Sequence, residues 1–137
     1  MRILHITDRV YPPRADEGGA PQLLFGLAAE QRCLGHEVVI GSSRQGLNSE
    51  VLYLDVEGDA SASLFGSLKK QRPDIVHFHA LSERIQPRLS RELGVPSVSH
   101  VHGVSDHGPP QDLNAIYVSK RHAALHGGSV YVHNGID

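Results

Sequence analysis

Apolar residues recur in two alternating rhythms along the chain. Arg2 to Thr7 (RILHIT) is a short run rich in β-branched side chains, the pattern of a strand covered on both faces. Leu23, Leu24, Leu27, Ala28 and Leu34 then return at helical spacing, and Gly35 stands where a helix C′ residue belongs. The pattern continues with a strand over 37–41, a third over 51–56 and a helix over about 60–71. Pro73 closes that helix and opens a strand over 74–79 (DIVHFH). Ile85, Leu89 and Leu93 share one helical face, with Gly94 and Pro96 as stop signals. Strands follow over 97–102 and 115–118. Ser119 is placed to N-cap a short helix ending at Gly127, and 130–132 predicts a last strand. Strands separated by single helices imply right-handed crossovers and an α/β fold with a doubly wound parallel sheet. Such sheets bind ligands beyond the C-terminal ends of their strands, so function is sought there.

Composition narrows the function classes. With 137 residues there is room for one core. The 13 Lys and Arg nearly balance 15 Asp and Glu, so no basic excess points to a nucleic-acid partner. The single cysteine, Cys33, excludes an internal disulfide and suits a reducing compartment; beside Leu34 in a helix it reads as a packed thiol. No apolar run approaches the ~18 residues of a membrane span, and MRILHITD reads as a first strand rather than a signal peptide. The expectation is a cytoplasmic protein, with membrane association possible but not indicated.

Three features could carry chemistry. Gly18 and Gly19 lie in the loop before the first helix, where backbone amides without Cβ hindrance make an anion site; the alternative is a plain turn. The loop holds no G-x-G-x-x-G, so it is not a dinucleotide fingerprint. Ten histidines are the second feature. His77 and His79 alternate on one strand and His100 and His102 on the next, so each pair shares a face. His79 and His102 should meet at the C-terminal edge, with His77 and His100 two residues deeper, packed and hydrogen-bonded. Such a set could be a polar substrate site, a structural layer or a metal site; with no carboxylate in either motif, and neither HEXXH nor a cysteine pair, no metal is expected. Third, Asn134-Gly135 after a strand is a turn at which the chain stops abruptly, as a truncated one would.

Taken in order, RILHITD, GGAPQLLFGLAAEQRCLGHEVVI, RPDIVHFHAL, GVPSVSHVHG, AIYVSKRHAAL and VYVHNGID resemble the N-terminal domain of the family-4, GT-B-fold retaining glycosyltransferases. The resemblance implies a Rossmann-like domain over 1–133, one half of a GT-B fold, with 134–137 starting the hinge to a C-terminal domain supplied in cis or by a separate chain. It implies that Gly18 and Gly19 approach the donor diphosphate and the acceptor. It places His102, followed by Gly103, against the transferred sugar as the catalytic residue. His79 falls on the acceptor side, and Ser119 opens the last helix before the hinge. The implied substrates are a nucleotide-sugar and a glycosyl acceptor; the implied cofactor and metal are none. The family's second domain clamps the diphosphate, so this chain by itself is expected to be an incomplete enzyme. The stretch between Gly103 and Asn114 is shorter than the family's, which implies a compact acceptor pocket. An alternative is a non-catalytic, glycosyltransferase-like domain that binds a sugar or recruits a partner; a third reading is a histidine-rich metal hydrolase.

Overall fold

The computed structural model describes residues 1–16, 18–42, 51–53, 62–79, 86–103 and 114–134. Among these residues ten elements follow one another: β1 (Arg2–Thr7), α1 (Ala20–Cys33), β2 (Glu37–Ser42), β3 (Leu52–Tyr53), α2 (Ala62–Lys70), β4 (Ile75–His79), α3 (Gln86–Leu93), β5 (Ser97–Val101), β6 (Asn114–Tyr117) and α4 (Lys120–Leu125). The strands form one six-stranded sheet in the order β3-β2-β1-β4-β5-β6, and every pairing is parallel. This is the doubly wound, Rossmann-like order expected from the alternating rhythms. Its winding reverses between β1 and β4, and sheets of this kind bind ligands beyond the carboxyl ends of the strands at such a point.

Alternation along β1 divides the core. Leu4 and Ile6 face one side with Val76 and Phe78 of β4, and there meet Phe65 and Leu68 of α2 and Leu89 of α3. Burying each of these side chains contributes about 1.5–3 kcal/mol. On the other side Ile40 of β2 packs with Leu24 and Ala28 of α1 and with Tyr11. Leu24, Ala28 and Gln31 lie on one face of α1 by their helical spacing, turned toward the sheet. The helix stops as its sequence predicts: Gly35 adopts φ +83°, and the His36 N–H donates to the Gln31 carbonyl at 3.0 Å.

Two expectations are corrected. Segment 130–132 is not a strand: only Tyr131 bridges to Tyr117, through Tyr117 N–H to Val130 O at 3.1 Å and Val132 N–H to Tyr117 O at 2.8 Å. One residue of pairing leaves Val130 and Val132 exposed. Cys33 is exposed rather than packed, because it lies about 180° around α1 from Leu24. Residues 54–56, 60–61, Ile85 and the hinge residues 135–137 lie outside the described residues; Asn134 is described and exposed. Among the described residues no helix is long and apolar enough to cross a membrane.

Candidate functional site

Five histidines form a continuous layer on the α1 side of the sheet. Register places His5 beside His77, Thr7 beside His79, and His79 beside His100, and residues paired across strands share a face. The rings touch in sequence: His5 to His77 and to His79 at 5.1 Å between centroids, His77 to His79 at 4.0 Å, His79 to His102 at 5.6 Å and His100 to His102 at 4.3 Å. His5 is fully buried, His79 is 1% exposed, and His102 is half-buried at the carboxyl end of β5.

A hydrogen-bonded chain runs through the layer and fixes its tautomers. Gln31 Oε1 can only accept, so His5 Nε2–H donates to it at 2.7 Å. A neutral His5 then has a bare Nδ1, which accepts from His79 Nε2–H at 2.9 Å. His79 Nδ1 in turn accepts from His102 Nε2–H at 3.3 Å. The chain ends at His102 Nδ1, which has no partner among the described residues. Burial keeps every ring neutral near pH 7. Desolvation lowers His5 to about 4, aided by the nearby Arg32 charge and opposed by the bond to Gln31. Desolvation and the neighbouring histidines lower His77 to about 3, and desolvation with His100 and His122 lowers His102 to about 4. His79 lies well below its ordinary value, first through desolvation, and desolvation lowers His100 too. At neutral pH the layer is a set of uncharged donors and acceptors.

His102 opens onto a shallow pocket of about 270 Å³ lined also by Gly103, Ser119, Arg121 and His122. Its wall is built by the start of α4. Ser119 is extended at φ −163°, and its Oγ accepts from the His122 N–H at 3.1 Å, the N-cap bond expected of it. The His122 ring reaches back, Nε2–H donating to the Gly103 carbonyl at 3.0 Å, and so ties α4 to the end of β5. Arg121 supplies the pocket's cationic side chain.

The glycine loop stands at the same edge of the sheet, after β1, and β1 and β5 are separated by one strand, hence by about 10 Å. Gly19 is the N-cap of α1 with φ +68° and ψ −124°, and no side chain among the described residues caps the helix. Gly18 and Gly19 are both exposed. The loop is pinned by Ser42 Oγ donating to Arg9 O at 2.6 Å and by Gln22 Nε2 donating to Arg14 O at 2.9 Å.

The structure therefore brings His79 and His102 together, as the alternation predicts, and sets His102, Gly103 and Ser119 around one pocket. His79 does not reach that surface; it meets it only through His102. His77 and His100 are packed, but the expected hydrogen bonds are incomplete. His77 Nε2 and both ring nitrogens of His100 have no partner among the described residues, although other imidazoles stand beside them. Three participants escaped the sequence reading. His5 lies in an apolar run and gave no signal until β1 was seen beside β4. Gln31 follows Ala28 on the buried face of α1, a spacing that could have marked it. His122 sits at the third position after its cap. No protein-family model and no curated protein matches the chain.

Proposed function

We propose that this chain forms the acceptor-side wall of a glycosyl-transfer cleft, working on a nucleotide-sugar donor with retention of anomeric configuration. The observation that carries the reading is the convergence of His102, Gly103, Ser119 and Arg121 on one pocket at the carboxyl edge of a doubly wound sheet, with the uncapped N-terminus of α1 at the same edge. The motif order described above supports it. In this reading the amides of the Gly18-Gly19 loop and the dipole of α1 face the donor diphosphate. His102, neutral and held by His79, presents its ring to the bound sugar. The Gln31–His5–His79 chain sets which nitrogen of His102 carries the proton, and so whether it donates or accepts. Ser119 and Arg121 bound the acceptor. A second domain, in cis or as a partner chain, closes the cleft and completes stabilisation of the leaving diphosphate.

The test is an assay of the full encoded protein with its partner domain against nucleotide-sugars, following the anomeric signal of the product by NMR. Transfer with retention is expected, and His102→Ala should lower kcat by about 100-fold. An inverted product, or an unchanged kcat in His102→Ala, overturns the reading. A second reading, a sugar-binding domain without catalysis, is favoured by the shallow form of the pocket; it predicts saturable sugar-nucleotide binding with no turnover.

A further inference from the structure

Two groups of three histidines place one ring nitrogen each within 4.8 Å of the others: His5, His77 and His79, and His79, His100 and His102. We propose that the second trio is a binding site for a borderline divalent transition metal of the Zn²⁺ class, with its fourth position open to the pocket. This goes beyond the proposed transfer activity and does not depend on it.

Four observations carry the inference. His79 Nδ1 and His102 Nε2 are 3.3 Å apart, the separation of two nitrogens bound to one tetrahedral ion at about 2.0–2.1 Å, which is about 3.3 Å. His100, only 7% exposed, has neither ring nitrogen hydrogen-bonded among the described residues, a costly state for a buried imidazole. The third observation is an orienting chain behind the ligands: His79 holds its other nitrogen against His5, and His5 holds Gln31, as metal-bound histidines are commonly fixed. Finally, His102 lines the pocket, which gives the ion an entry path and leaves room for a solvent ligand. The first trio differs in access, since all three of its rings are buried and none of them lines the pocket.

The donor set selects the ion. Three neutral imidazoles favour Zn²⁺, Cu²⁺ or Ni²⁺ over Mg²⁺ or Ca²⁺, which prefer oxygen. Three histidines and one solvent molecule are a ligand set found in catalytic zinc sites. Binding needs the lone pair of His102 Nε2, so the proton there moves to the unpartnered Nδ1 of the same ring. The rings stay neutral and no proton is released by them.

The experiment is a titration of the chelator-treated protein with Co²⁺ and Zn²⁺, followed by visible absorption, calorimetry and ¹H–¹⁵N spectra of the histidine rings. The expected result is one Co²⁺ per chain, with absorption of a four-coordinate site. Zn²⁺ should displace it, and Mg²⁺ should not compete. His100→Ala and His100→Gln should each lower affinity by at least about 100-fold, while His133→Ala, at an exposed position, leaves it unchanged. No stoichiometric uptake by the wild-type protein, or undiminished uptake by folded His100 variants, overturns the site. If both variants fail to fold, the wild-type ring spectra decide: Zn²⁺ shifts on His79, His100 and His102 support it, and shifts confined to other histidines overturn it.

Discussion

Acidification should unfold this protein earlier than its carboxylates alone would allow, because the histidine layer is built for neutral rings. A histidine whose folded-state pKa lies below its unfolded value binds fewer protons folded than unfolded. Its stability is therefore fully present above about pH 6.5 and falls as pH drops below that value. The loss levels off only where the folded rings also titrate, near 4 for His5 and near 3 for His77. At pH 5.5, one unit below the unfolded value, each ring costs about 1.4 kcal/mol. His5 and His77 together should then remove about 3 kcal/mol, roughly a hundredfold in the folding constant, and the buried His79, also held well below its ordinary value first by desolvation, adds to that loss. The half-buried His102 adds a smaller amount. The assay is urea unfolding at pH 7.5 and 5.5 with chelator present, comparing the wild-type protein with His77→Phe and with His133→Ala. The midpoint should drop at pH 5.5 in the wild type and in His133→Ala, and by measurably less in His77→Phe. Equal midpoints at the two pH values would refute the neutral layer, and so would a full pH response in His77→Phe.

Other substitutions probe the supports of the site. Gly128→Ala should destabilise the fold by about 1–3 kcal/mol, because its Cβ would clash with the Tyr117 ring; a thermal melt reads this, and Tyr117→Leu in the same chain should recover part of it. Gly19→Ala should cost about 1–3 kcal/mol at its φ of +68°, whereas Gly18→Ala, with nothing within 4 Å of the added Cβ, should stay within about 0.5 kcal/mol; equal effects in chemical denaturation would contradict the assignment of Gly19 as a conformational position. Gln31→Leu leaves His5 Nε2–H unsatisfied and should cost about 1–3 kcal/mol, measured by the same denaturation, while an unchanged midpoint would remove Gln31 from the chain.

The fold was largely legible because each strand and helix carries its own local signal. The RILHIT run, the Leu24–Ala28 spacing and the Gly35 stop all specify β1 and α1 without help from the rest of the chain. The candidate site was legible in part. His77, His79, His100 and His102 announce a shared face by strict alternation, and Ser119 announces a cap. His5 could not be read this way, since one histidine in an apolar strand gains meaning only from its neighbours. Those neighbours are set by the direction of the crossover that lays β4 against β1. The same long-range pairing sets His100 among other imidazoles with neither ring nitrogen hydrogen-bonded among the described residues, and no local pattern encodes that. Segment 130–132 looked like a strand because it is apolar and β-branched, yet it pairs at one residue beside β6.

The proposed function requires that the carboxyl edge of this sheet face a nucleotide-sugar. The most direct measurement is a ¹H–¹⁵N amide titration of the chain with a panel of nucleoside diphosphate sugars. Shifts are expected to be confined to the amides of Gly18, Gly19, Gly103 and Ser119 and to the His102 ring, saturating with the same ligand. No saturable shift with any member of the panel, or shifts confined to α2 and α3 on the opposite face, would contradict it.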